Sequence, residues 1–191
     1  MGAYTTKTLD ETTFKKMVET VRAGYISNGI YHRPNKQFAT ILVLEANLGC
    51  RIGDIINLTT ESIVKDGQFW KLNITEEKTG KKRNFIVPEA VKQFIDAYCY
   101  EEGIYNGKLF KCGKQATWKN MRYICEYLDL EDTSTHSIRK MKAEKLYNET
   151  DHDIELVCEY LQHASVNTTR AYLKRSDAQM EKAISNTVTL A

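Results

Sequence analysis

The chain has 191 residues, 42% of them hydrophobic and 27% charged, with a formal net charge of +2. That balance suits a globular domain with a real core and excludes low-complexity and collagen-like chains. No apolar run approaches the ~20 residues that cross a bilayer, and the opening stretch MGAYTTKTLDET is polar, without the pattern of a secretory signal. Five cysteines, Cys50, Cys99, Cys112, Cys125 and Cys158, are odd in number and lack CxxC spacing. The reading is of reduced thiols packed as small hydrophobes in a cytoplasmic protein.

Phe14, Met17, Val18, Val21 and Tyr25 recur at helical spacing and predict a first helix over 10–27, ended by Asn28-Gly29. After Pro34 a second apolar helix carries Phe38, Ile41, Leu42, Glu45 and Leu48 and stops at Gly49; a short helix through Ile52, Ile55 and Ile56 follows. The period then changes. Segments 62–64, 69–74 and 84–87 read as three short strands, with Asp66-Gly67 as a tight turn and Thr79-Gly80 in the second connection. From Pro88 onward the chain is helical again over 89–101, 115–128, 137–147, 151–161 and 166–173, with a weak last helix over 177–184. The fold class is therefore α+β, mainly α-helical, with a small three-stranded antiparallel sheet.

Charge is unevenly spread. Residues 108–122 carry five positive charges and no acid, and residues 71–83 carry five against Glu76 and Glu77, whereas Glu149, Asp151, Asp153, Glu155 and Glu159 gather elsewhere. A two-faced distribution suits a protein that turns one side to a polyanion, although ordinary solvated surfaces show such patches too.

Six residues stand out chemically. His136 and Arg139 in THSIRK are spaced to share one helix face near an N-terminus that Ser134 or Thr135 caps, a corner that would bind phosphate. Arg51, between two apolar stretches, either pairs with Asp54 three residues on or grips a phosphate oxygen. Lys78, in the turn of the strand pair, is placed to hand a proton to a leaving oxygen, with Lys81 and Lys82 competing for that role. His163 ends one helix. Tyr172 lies on the next, flanked by Arg170, Lys174 and Arg175, and either packs as core or presents its hydroxyl as a nucleophile. Taken singly, each has an ordinary structural explanation.

In order, the motifs LGCRIGDIINL, EEKTGKKRNFIVP, HSIRK, LQHAS and TTRAYL resemble the catalytic domain of tyrosine recombinases, the family of phage integrases and Xer-type resolvases, over residues 38–175. One departure is Gln162, where the family usually has glycine. The resemblance implies site-specific DNA recombination, as in integration or excision of a mobile element, through a 3′-phosphotyrosine. Arg51, Lys78, His136, Arg139, His163 and Tyr172 would be the catalytic set, with Tyr172 as nucleophile. It implies no cofactor and no metal, and the histidines and Cys158 lack zinc spacing in any case. It also implies double-stranded DNA as partner, a homotetramer on DNA and accessory DNA-bending proteins. Lys81, Lys82, Lys114, Lys119, Arg122 and Arg170 are candidate DNA contacts. The family's N-terminal core-binding domain has no counterpart here, so the expectation is a single catalytic domain over 1–191, either a domain of a longer integrase or a short relative, with 176–191 either a tail for docking onto a neighbour or a helix folded back on its own core. Two other readings are a non-catalytic DNA-binding module of the same fold and a type IB topoisomerase.

Overall fold

The computed structural model describes residues 6–173. They form eight helices and five strands in two compact units, residues 1–142 and 143–191, the division falling inside α6. The predicted helix over 177–184 and the tail lie outside the described residues.

In the first unit, α1 (Glu11–Ala23) starts on Asp10, whose Oδ1 accepts the Thr13 backbone N–H at 2.8 Å. That bond satisfies one of the helix's orphan donors. The helix ends earlier than its periodicity suggests. Gly24 turns to φ 79°, and Tyr25–Ser27 (β1) pairs antiparallel with Ile30–His32 (β2). Asn28 and Gly29, both at positive φ (49° and 73°), are the turn of this hairpin rather than a helix stop. Asn-Gly is the pair that a tight hairpin with two left-handed residues prefers. Tyr25 stacks on His32 with ring centroids 4.5 Å apart and meets Tyr127 at 4.7 Å, which holds the hairpin down.

Asn35 caps α2 (Lys36–Leu48) by accepting from Phe38 N, and Gly49 ends it in the left-handed region. This helix is buried nearly all round: Phe38, Ala39 and Leu42 join one cluster with Met17, Met121, Ile124 and Ile138, and Ile41, Leu44 and Leu48 join a second with Ile55, Leu58, Leu72 and Phe110. A helix apolar on every side is a core helix, and α2 is the element both clusters share. Next come α3 (Ile52–Ile56) and the predicted sheet, β3 (Ile63–Asp66), β4 (Phe69–Thr75) and β5 (Lys82–Val87), in order β3-β4-β5, all antiparallel. The β4–β5 register pairs Leu72 with Phe85 and Ile74 with Arg83. Then come α4 (Glu89–Glu102), α5 (Lys114–Tyr127) and α6 (Thr135–Glu149).

The second unit holds α7 (Ile154–Leu161) and α8 (Val166–Tyr172). Ala143, Val157 and Leu161 form its small core, with Tyr160, Tyr172 and Leu173 packed against them. All five cysteines are unbonded, and Cys50 and Cys125 are buried. Burial pushes the Cys50 thiol up to about 12, so it stays a neutral packing group.

Candidate active site

The first unit brings four of the six singled-out residues together around the corner between α2 and α3. Leaving α2, the chain makes its left-handed step at Gly49 and re-enters a helix at Arg51, whose backbone is extended (φ −69°, ψ 149°). The last carbonyls of α2 have no intrahelical partner and sit at the negative end of the helix dipole. Arginines fill them. Arg139 Nη1 donates to the Gly49 carbonyl at 2.8 Å, and Arg83 Nη2 faces the Leu48 and Gly49 carbonyls at 3.4 Å each. Arg51 belongs to that same corner, with 22% of its side chain exposed.

Arg51 does not pair with Asp54. Its Nη1 donates instead to Glu76 Oε2 at 2.5 Å. Asp54 uses Oδ1 to accept the Glu77 backbone N–H at 2.9 Å, which ties the β4–β5 turn to α3. Glu76 accepts twice more: at Oε2 from the Thr79 hydroxyl and at Oε1 from Arg83 Nη1, both at 2.8 Å. Burial alone would raise the Glu76 carboxyl. The bonds from Thr79, Arg83 and Arg51 outweigh that, and its pKa lies below the ordinary 4.5.

Glu76 and Arg83 were missed as candidates, although strand parity points to them. Along β5, Arg83, Phe85 and Val87 face inward while Lys82, Asn84 and Ile86 are exposed; along β4, Leu72 and Ile74 lead on to Glu76. Side chains alternate faces along a strand. A charged residue on the inward parity of each strand is therefore a buried pair in waiting.

His136 lies in the first turn of α6 and Arg139 three residues further along it. Ser134 accepts the His136 N–H at Oγ, and its own N–H donates to Ser137 Oγ, a reciprocal cap. Arg139 is buried at 3% exposure, whereas His136 is exposed. The His136 pKa is lowered from 6.5, first by the atoms that crowd out water around the ring and then by Arg139, Lys78, Arg51 and Lys140. Three cations from distant stretches of sequence, Arg51, Lys78 and Arg139, thus act on one imidazole. A carboxylate behind the same corner, Glu45, is fully buried on α2, and burial raises its pKa well above 4.5 against the pull of Arg139.

The shift at His136 gives a checkable outcome. Followed by NMR, its ring should titrate with a midpoint below 6.5, and Lys78→Met should move the midpoint up because one flanking charge is gone. A wild-type midpoint above 6.5 would contradict this. The stability sign agrees: the unfolded chain takes up a proton near 6.5 where the folded one resists it. This contribution is therefore whole above 6.5 and lost as pH falls through the folded value.

The second unit carries the remaining two residues. His163 follows the cap of α7, and its Nδ1 lies 3.0 Å from the hydroxyl of buried Thr169. That contact leaves Nε2 as the ring atom directed away from Thr169. Tyr172 ends α8 with its ring half-buried and edge-on to His163, centroids 5.1 Å apart at 79°. So this tyrosine both packs and stands beside a histidine. Gln162 occupies the α7 C-cap at φ 49°, ψ 46°. That left-handed conformation is the reason glycine suits the position. Gln162→Gly should stabilise the α7–α8 pair by about 0.5–1 kcal/mol. Slower amide hydrogen exchange in α7 and α8 is the expected reading; faster exchange would refute it.

The candidate DNA contacts lie on several elements. Lys81 and Lys82 are exposed at the β4–β5 turn, and Lys114 starts α5 paired with Glu77 at 2.6 Å. Lys119 and Arg122 lie over the Tyr123 ring, with Arg122 also 3.5 Å from Glu126. Arg170 donates to Asn167 at 3.2 Å.

Residues 7–179 match the phage integrase family. The chain belongs to that family. Among curated relatives, the probable integrase/recombinase YoeC of Bacillus subtilis (strain 168) is 28% identical over 145 residues, covering 73% of this chain and 78% of YoeC. Tyrosine recombinase XerC of Caldanaerobacter subterraneus is 28% identical over 156 residues, covering 75% of this chain and 43% of XerC. Among solved structures, the XerH site-specific recombinase bound to palindromic difH, a post-cleavage complex, superposes with a TM-score of 0.71 at 21% identity. That match covers 95% of this chain and 53% of XerH, so the chain spans about half the length of XerH and less than half of XerC. The architecture is the catalytic fold of tyrosine recombinases, with the helices and the small three-stranded sheet that the motifs imply.

Proposed function

We propose that this phage integrase family member cleaves and rejoins double-stranded DNA at specific sites through a 3′-phosphotyrosine on Tyr172, as in integration or excision of a mobile element. The observation that carries the reading is the corner after α2, where Arg139, on the helix that carries His136, donates through Nη1 to the Gly49 carbonyl at 2.8 Å, two residues before Arg51.

Attack on a phosphodiester builds negative charge on the non-bridging oxygens, and side-chain cations can take up that charge where it forms. Arg51 and Arg139 are assigned to the oxygens; planar guanidinium forks match two oxygens at once. His136, whose pKa is lowered first by desolvation and then by its cationic neighbours, is assigned to accept the tyrosine proton, directly or through the phosphate. Tyr172 Oη then bonds to phosphorus as the bond to the 5′ oxygen breaks, and Lys78 gives that oxygen its proton. His163 adds a hydrogen bond to the phosphate through Nε2. The freed 5′-hydroxyl attacks a partner strand's phosphotyrosine, so the bond energy is kept through two steps. A homotetramer on two DNA sites, aided by DNA-bending proteins, is part of the same proposal. XerH, a structural neighbour, was solved bound to a palindromic difH substrate.

The test begins with a pool of nicked duplexes of randomised sequence, in which a cleaved strand diffuses away and traps the enzyme. Wild-type protein should yield a denaturant-stable DNA adduct whose recovered sequences share a site. Binding without adduct at high protein concentration would favour a non-catalytic module. Relaxation of any supercoiled plasmid regardless of sequence would favour a type IB topoisomerase.

A further inference from the structure

We propose that Glu76 is a positioning residue that sets the Arg51 guanidinium and the Lys78 turn as one body for phosphate cleavage, an inference that rests on the function just proposed. Glu76 has no exposed side-chain surface, and each of its carboxylate oxygens is engaged: Oε1 by Arg83, Oε2 by Arg51 and Thr79. Its main chain closes the turn, with Glu76 N donating to the Lys81 carbonyl and Gly80 N to the Glu76 carbonyl, both at 2.9 Å. The next residue, Glu77, is pinned to Asp54 on α3 through its N–H at 2.9 Å. Lys78 follows directly. The turn is thus fastened at two successive residues to the four-residue stretch from Arg51 to Asp54.

The division of the carboxylate matters as much as its presence. A lone arginine and a buried glutamate would settle into a bidentate pair, using two of the five guanidinium donors and aiming the fork inward. Here Arg83, fully buried and braced on the Leu48 and Gly49 carbonyls and over the Phe85 ring at 4.8 Å, occupies Oε1. Arg51 is left one oxygen and, among the described residues, is held through Nη1. Two guanidinium charges against one carboxylate leave the trio net positive, the sign a phosphate needs.

A merely structural Glu76–Arg83 pair would make different predictions. Removing its charge would lower stability, but folded protein would cleave at its usual rate, and any residual loss would multiply with that of an Arg51 variant. The experiment therefore uses the full chain and the DNA sequence recovered from the wild-type adduct, with single-turnover cleavage as the readout and thermal unfolding as the check on folding. Glu76→Gln, which keeps volume and one acceptor, should slow cleavage about 10- to 100-fold. In an Arg51→Ala background it should add no more than about twofold. Thr79→Val, at an exposed turn position that tolerates the change, should slow cleavage about 3- to 10-fold by loosening Oε2. Wild-type rates in Glu76→Gln, or losses that multiply with Arg51→Ala, overturn the proposal. Should Glu76→Gln fail to fold, unaltered cleavage by Thr79→Val overturns it alone. Absence of adduct with wild-type protein would instead sink the functional reading beneath it.

Discussion

Tyr172→Phe is expected to abolish the denaturant-stable DNA adduct, a loss of at least about four orders of magnitude in cleavage rate, while DNA binding persists. The substitution removes one oxygen and little else. The ring lies against the small core of Val157 and Leu161 and edge-on to His163, and phenylalanine keeps all of that area. Loss of a half-buried hydroxyl costs about 1 kcal/mol or less, too little to unfold the unit. Binding and chemistry should therefore separate cleanly in gel shift and adduct assays on the same protein. An adduct that survives in the variant would mean another nucleophile. A variant that no longer binds would mean that the hydroxyl serves recognition rather than attack.

The helical frame and the three-stranded sheet were readable because their signals are local. Phe38, Ile41, Leu42 and Leu48 repeat at helical spacing, and Gly49 and Asp66-Gly67 mark a stop and a turn where each occurs. The hairpin at residues 25–32 was misread for a reason equally local. Tyr25 continues the helical period of α1, so periodicity ran past Gly24, and Asn28-Gly29 is a stop signal as well as a hairpin turn. Arg51 shows a different limit. Spacing of three offered Asp54 as its partner, and nothing in that interval says that Asp54 is taken by the Glu77 N–H or that Glu76, 25 residues away, takes the arginine. Pairing across a strand connection depends on register, which becomes legible only when the inward parity of β4 and β5 is followed to their charged members. Gln162 ran the other way. The sequence flagged a missing glycine, and the backbone there is left-handed.

That register-dependent pair carries the largest stability effect expected in the molecule. Arg83→Met should destabilise the protein by about 3–5 kcal/mol, because it strips Oε1 of a carboxylate that has no access to water. It also leaves the Leu48 and Gly49 carbonyls without their Arg83 donor. Urea unfolding measures the loss. The double variant Arg83→Met, Glu76→Leu should recover most of it, since replacing both members of a buried pair with apolar groups removes the stranded charge along with its partner. Cleavage should not recover, because Arg51 has then lost the oxygen that holds Nη1. Acid stability supplies a second reading. Glu76 titrates below 4.5 in the fold, so its stabilising contribution is complete above 4.5 and lost as pH falls through the folded value. The double variant should lack that share of the acid transition. If it proved as unstable as Arg83→Met, the two charges would not be each other's remedy. If it cleaved DNA at the wild-type rate, Arg51 would need no anchor. A stable, slow double variant would separate what the pair does for the fold from what Glu76 does for the reaction.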